Sequence, residues 1–393
     1  MATQKNNCKR HTKSLHQWFP VERLSVAQTC VPNVLYLHCS SSSFVEAKWY
    51  HVQSLCSPML TKHTVLVNLQ GRKGTPIEVT IACGRLPRDI EPVGNPECHM
   101  ASEWNKNAHR ISFLKSHLQK TIRKGNPGLA VRTCKELLQR DVLQVVRRLS
   151  IIMVEDVDLH PSFNILLWWM IILSKQVSDK KKQGLGDVLQ AGDVPSCLLE
   201  WLLGLTHMLC VQPHRSIFDT HDEQLPTIWQ SVQILHPLHS IETRPTTQEH
   251  TDCASDVKNT LCSVMLRASY GGLKDDMVLL RAVMHDYLLQ YTSKPTTFFT
   301  FWKTTIQPIV YSTVNPLEIH TWDLDAIDFH ISRHIVPKLE EWVNDPQVNV
   351  KRMMWENGSS VNVRDGTKKK YASGVWKSVL PRLRNWQSYV LQQ

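Results

Sequence analysis

Apolar positions recur with helical spacing from Ser102 onward. Ile111, Leu114, Leu118 and Ile122 fall on one face at steps of three and four, leaving Lys115, Lys120, Arg123 and Lys124 largely elsewhere. Gly125-Asn-Pro-Gly stops that helix. A second is predicted from about Leu129 to Gln139, with Val131, Cys134, Leu137 and Leu138 inward. A third starts at Asp141, a good N-cap, and runs through Leu149. Short helices on short turns pack antiparallel. The run Phe163 to Leu173, FNILLWWMIIL, falls well short of the roughly 20 apolar residues a membrane span needs and reads as a buried helix. Ser174 to Pro195 reads as a polar linker with Lys180-Lys-Lys solvated, and helix is expected again over Cys197–Val211, Val257–Ser269 and Leu273–Tyr291.

Before Ser102 the pattern is different. Val34-Leu-Tyr-Leu-His, Lys48-Trp-Tyr-His-Val, His63 to Leu69 and Ile77-Glu-Val-Thr-Ile-Ala are short, rich in β-branched and aromatic residues, and separated by Ser, Gly and Pro. They predict a small β-rich module. The chain therefore divides into a polar, basic tail (1–28), a β-rich module (29–100), a first helical part (101–211), an irregular excursion (212–255), a second helical part (256–345) and a basic C-terminal segment (346–393). The fold class expected is mainly α with a small N-terminal β-rich module.

Charge adds a partner class to this outline. The 393 residues carry a formal net charge of +10, which favours an anionic partner such as nucleic acid, although net charge also serves solubility. The excess is concentrated: residues 101–150 hold eleven Lys/Arg against three Asp/Glu, and residues 351–393 hold nine against two. Lys115, Lys120, Arg123 and Lys124, together with Lys368, Lys369 and Lys370, are the candidate nucleic-acid contacts, to DNA or RNA. Basic and aromatic residues also interleave from Trp376 to Trp386, a mix that suits backbone contact plus stacking.

Eleven cysteines occur without a CxxC pair, and the first residues lack the apolar core of a signal peptide, so reduced thiols in nucleus or cytoplasm are expected. Cys30, His38, Cys39, His51, Cys56, His63, Cys83, Cys98 and His99 gather in the β-rich module and make zinc a candidate ligand, with buried free thiols and ordinary histidines as the plainer reading. No other cofactor and no membrane association are expected.

Two segments carry candidate chemistry. Arg147-Arg148 and Glu155-Asp156 flank the apolar strip Leu149 to Val154 and are expected to meet as a partly buried ion pair. Adjacent carboxylates on an α-helix point about 100° apart, so this pair is not expected to form one catalytic site, and no catalytic residue is assigned. Further on, His330 and His334 share a helical face near Asp325 and Asp328, a spacing that metal ligands also use. Phe298-Phe-Thr-Phe-Trp302 reads as core packing, with base stacking as the sharper alternative.

Within the tail, Thr12-Lys-Ser-Leu15-His-Gln-Trp18-Phe19 resembles the PIP box that docks onto sliding clamps, in which an aliphatic residue and an aromatic pair form a hydrophobic plug. Leu15, Trp18 and Phe19 match its spacing, and Thr12 stands where Gln is usual. Ser116, Leu118, Lys120, Thr121, Ile122, Arg123, then Ala130, then Arg147, Arg148, Leu149, Ile152, Glu155, Asp156 and Val157, resemble the C-terminal helical region of clamp-loader-related AAA+ proteins of the MgsA/RarA/WRNIP type. Ala268-Ser-Tyr-Gly-Gly-Leu-Lys-Asp-Asp-Met277 is similar to that family's Y-G-G-M-K turn. No GxxxxGK[ST] phosphate loop is present, so the resemblance implies the assembly or docking part without the ATPase.

These readings converge on a non-enzymatic accessory or scaffold protein of DNA replication or repair. Its expected partners are a sliding clamp, DNA or RNA, and a second copy or an AAA+ protein. Two alternatives stand beside it: a metal-dependent nucleic-acid-processing enzyme using residues 323–334, and a structural subunit of a ribonucleoprotein assembly.

Overall fold

The computed structural model describes residues 34–39, 44–50, 61–67, 77–83, 109–186, 188–212, 256–257, 259–264, 266–267, 280, 283, 287, 301–317, 332–350 and 374–392. The chain is mainly helical, with one small sheet built from its N-terminal part.

Four strands, β1 (Val34–Cys39), β2 (Phe44–Tyr50), β3 (Thr61–Val67) and β4 (Ile77–Cys83), lie in the order β2-β1-β4-β3. β1 pairs antiparallel with β2 and parallel with β4, and β3 closes antiparallel on β4. All four overlap the predicted runs, β2 beginning four residues and β3 two residues earlier. Successive side chains alternate between faces, so Leu35, Leu37, Phe44 and Ile81 join the main core while Val34, Tyr36 and Ala82 form a small cluster of their own.

The helical layer starts with α1 (His109–Arg123), α2 (Pro127–Arg140) and α3 (Val142–Ile152). Leu114, Leu118 and Ile122 form the buried stripe of α1, as their spacing predicts. Its end is set by Gly125, which adopts φ +69°. The Gly125 and Asn126 amides donate to Ile122 and Thr121 carbonyls at 2.9 and 3.0 Å, closing the helix with a Schellman pair. Asn126 then caps α2, its side chain accepting from Leu129 N at 3.2 Å, and Pro127 occupies the first helical turn, where a missing N–H costs nothing.

Asp141 is a one-residue corner. Its amide donates to Leu137 O at 2.8 Å, ending α2, and its carboxylate accepts from Gln144 N at 3.2 Å, starting α3. After α3 the backbone widens into one π turn, Met153–Val157.

α4 (Ser162–Lys182) carries the apolar run and backs the sheet. Trp168 Nε1 donates to Ala82 O at 2.8 Å, Asn164 Nδ2 donates to Ala47 O at 3.0 Å, and Phe44 meets Trp169 edge-on at 5.4 Å. No helix among the described residues is long and apolar enough to cross a membrane. Polar residues from Ser174 are not a linker, as predicted, but the second half of α4. Val177 still packs on the core, Lys175 and Asp179 pair at 3.0 Å one turn apart, and the three terminal lysines sit where a helix C-terminus favours cations. Gly184, at φ +73°, ends the helix with the same double hydrogen bond seen at Gly125.

α5 (Ser196–Val211) returns through the core, where Gly204 lets the backbone of Gln307 approach: a Cβ there would lie 2.1 Å from Gln307 O. Phe301 and Trp302 pack into the structure, Phe301 at 5.0 Å from the His160 ring, in keeping with the packing reading of that aromatic cluster. α6 (Ser332–Val343) and α7 (Gly374–Gln392) share a separate apolar cluster of Val336, Leu339, Val350, Val379 and Leu383.

Candidate functional site

On α1, residues 115, 119 and 123 follow one another at one-turn spacing, beside the apolar stripe. They form one wall of a polar seam whose other wall is α3 and the π turn. At the first rung Lys115 Nζ donates to Gln144 Oε1 at 3.2 Å. At the second, Arg148 Nη1 donates to Gln119 Oε1 at 3.1 Å. The amide of Gln119 is used at both ends, because its Nε2 donates to Glu155 Oε2 at 3.0 Å and Asp156 Oδ2 at 2.8 Å. At the third rung Arg123 holds Asp156 Oδ1 through Nε at 2.6 Å and through Nη2 at 2.5 Å, with Glu155 Oε1 3.7 Å away.

One expectation is corrected here. The ion pair to Glu155 and Asp156 comes from Arg123 on α1, not from Arg147 and Arg148. Arg148 reaches the acids only through Gln119, and Arg147 turns to α4, donating to Ser174 Oγ at 3.3 Å. The two carboxylates also share one environment, although adjacent positions of an ideal α-helix diverge. A π turn and a bidentate amide bring them to the same two side chains. π turns inside helices recur at functional sites, and here the turn sets this charge geometry.

The electrostatics differ between the ends. Burial pushes the Glu155 carboxyl up to about 7, helped by the neighbouring Asp156 charge and opposed by Arg123 and Gln119. Burial also raises Asp156, against Arg123 and Gln119. At the opposite end burial lowers Lys115, and the nearby Arg148 and Arg147 charges lower it further, with Asp141 opposing. The seam thus runs from a cation-rich mouth to a neutralised acidic end.

Of the sequence-derived nucleic-acid candidates, Lys115 stays half-buried at the mouth. Lys120 is only 6% exposed, and Arg123 is turned inward onto the acids, so neither presents an outward charge. Lys124 lies half-buried at the last turn before Gly125. Lys368, Lys369 and Lys370, and the tail residues Thr12, Leu15, Trp18 and Phe19, lie outside the described residues. So do the segment from Asp323 to Ile331 and the Ala268–Met277 turn.

Gln119 was not singled out from the sequence. Its signal was available as the four-residue spacing Lys115, Gln119, Arg123 in phase with Gln144 and Arg148 on α3.

No family model, curated protein or solved structure matches this chain.

Among the described residues no group of three or more His, Cys, Asp or Glu is arranged to hold a metal ion. Of the zinc candidates, His38 and Cys39 are neighbours on β1 and so face opposite sides of the sheet. His38 shares a hydrogen bond with the Tyr50 hydroxyl at 2.8 Å, and burial lowers its ring. The thiol of Cys39 is pushed up to about 12 by burial, with Cys83 and Cys197 adding to it, and Cys39 and Cys83 are free thiols. Cys30, His51, Cys56, Cys98 and His99 lie outside the described residues. His160 is held neutral: burial lowers its ring to about 4, and it is fixed by Ser162 Oγ at 2.8 Å and Thr304 O at 3.1 Å. This is a packed core histidine tying α4 to the segment after Phe301.

Proposed function

We propose that this chain is a non-enzymatic accessory scaffold of DNA replication or repair, which docks on a sliding clamp through its N-terminal tail and contacts nucleic acid through its helical layer. The observation that carries the non-catalytic part is the saturation of Asp156. Its carboxylate is 5% exposed and occupied by Arg123 and Gln119, which is the arrangement of a fold-fixing ion pair rather than of a group waiting for substrate. The resemblance of Ser116 to Val157 to the helical region of clamp-loader-related AAA+ proteins supports the same assignment. In that reading the buried pair locks the orientation of α1 against α3, and another chain supplies any ATPase. The tail motif of Leu15, Trp18 and Phe19 points to the same process from a separate stretch of sequence.

Retention of the full chain on an immobilised, purified sliding clamp tests this directly. Wild type is expected to be retained and the Trp18→Ala/Phe19→Ala variant lost. Equal retention of both, or of neither, would remove the clamp from the assignment.

A further inference from the structure

We propose that the mouth of the α1/α3 seam, formed by Lys115, Arg147 and Arg148, is a phosphodiester-binding surface, the place where the helical layer meets the backbone of a nucleic acid. The inference rests on the nucleic-acid half of the proposed function and moves the contact away from Lys120 and Arg123.

The three cations come from two helices and none sits in an ion pair, although Asp141 lies near Lys115 and Arg147, and Glu155 and Asp156 lie near Arg148. Each donates its hydrogen bond to a neutral acceptor: Lys115 to Gln144 Oε1, Arg148 to Gln119 Oε1 and Arg147 to Ser174 Oγ. The carboxylates around them are already committed. Asp141 caps α3 and closes α2, while Glu155 and Asp156 belong to Arg123 and Gln119. Both arginine charges act on Lys115, and an anion bridging the group offsets that repulsion. Arg147 is exposed and Arg148 and Lys115 are half-exposed, so an anion can reach all three from solvent.

The geometry suits a phosphate chain rather than an isolated base. Gln119 and Gln144 fix two of the cations from below, leaving guanidinium N–H groups for the fork-like contact that arginine makes with phosphate. Phe113 of α1 is buried and α3 carries no aromatic residue, so the two helices offer no exposed Phe, Tyr or Trp ring to stack a base and the contact is expected to be independent of sequence and strongly dependent on salt.

Fluorescence anisotropy of the full chain with a labelled DNA duplex, a single strand of DNA and a single strand of RNA, each over a range of salt concentrations, decides the matter. For Lys115→Gln/Arg147→Gln/Arg148→Gln we expect the slope of log affinity against log salt to fall by about three on the duplex and about two on a single strand, with affinity at low salt lower by on the order of tenfold. Arg147→Gln alone, at an exposed position where folding is not at issue, should lower the slope by about one. Lys377→Gln/Arg382→Gln on α7 is expected to leave it unchanged. An unchanged slope in the α1/α3 variants alongside binding by wild type overturns the inference while the scaffold assignment stands. Loss confined to the α7 variant does the same. No binding of wild type to any of the three probes overturns both this site and the nucleic-acid half of the proposed function, while clamp retention is judged separately. Competition by inorganic phosphate as effective as that by an oligonucleotide would mark the mouth as a simple anion site and also overturn the proposal.

Discussion

Arg123 and Asp156 lie 33 positions apart in sequence and meet through two hydrogen bonds, 2.6 and 2.5 Å long, with the carboxylate almost wholly buried. Such pairs contribute little net stability against an apolar replacement, yet removing one partner strands the other charge away from water. Arg123→Met is therefore expected to destabilise the chain by about 3–5 kcal/mol. Asp156→Asn should cost less, since its amide still accepts from one neighbour. Urea unfolding followed by circular dichroism checks both values.

Glu155 makes stability depend on pH in an unusual direction. Its folded value of about 7 lies above the ordinary 4.5, so the folded chain binds a proton that the unfolded chain releases. Its contribution is fully present below about 4.5 and is lost as pH rises through about 7. Glu155→Gln should flatten that part of the stability profile and make the chain more stable than wild type above neutrality. A series of unfolding midpoints from pH 5 to pH 8 reads the slope, and a Glu155→Gln profile parallel to wild type would contradict this role.

Asp141 serves two helices with one residue. Asp141→Ala removes the acceptor for the Gln144 amide and should cost about 1 kcal/mol, as N-cap losses do. Asp141→Asn keeps an acceptor oxygen and is expected to recover most of the loss. The same denaturation measurement separates the two.

Trp168 joins α4 to the sheet through its indole N–H and the carbonyl of Ala82. Trp168→Phe keeps an aromatic ring but strands a buried carbonyl and leaves a void, at an expected cost of about 1–3 kcal/mol for the unmet acceptor alone. Faster hydrogen exchange in β1 and β4 would accompany it.

Local punctuation was legible in the sequence. Gly125-Asn-Pro-Gly and Asp141 set the helix ends because each needs only its neighbours: a positive φ, a side-chain acceptor, a missing N–H. The inward stripe of α1 and the four short strands followed from periodicity alone. Pairings across the fold were not legible. Arg147 and Arg148 are nearer in sequence to Glu155 and Asp156 than Arg123 is, but the α2 crossover brings α1 alongside the π turn. Nothing in the run Leu149 to Val154 announces that turn. Lys120 read as an outward nucleic-acid contact because it lies off the apolar stripe, and its burial follows from the packing around α1. The C-terminal half of α4 was hidden by its polar composition, although the Lys175 and Asp179 spacing was a helical signal.

A double-mutant cycle of Arg123→Met and Asp156→Leu, measured by urea unfolding, tests most directly whether the acidic end of the seam serves the fold. Each single variant should be strongly destabilised and the double variant should be less destabilised than the two losses summed, giving a coupling of about 2 kcal/mol or more. Single effects that simply add, with no recovery in the double variant, would contradict the ion pair as the lock between α1 and the π turn.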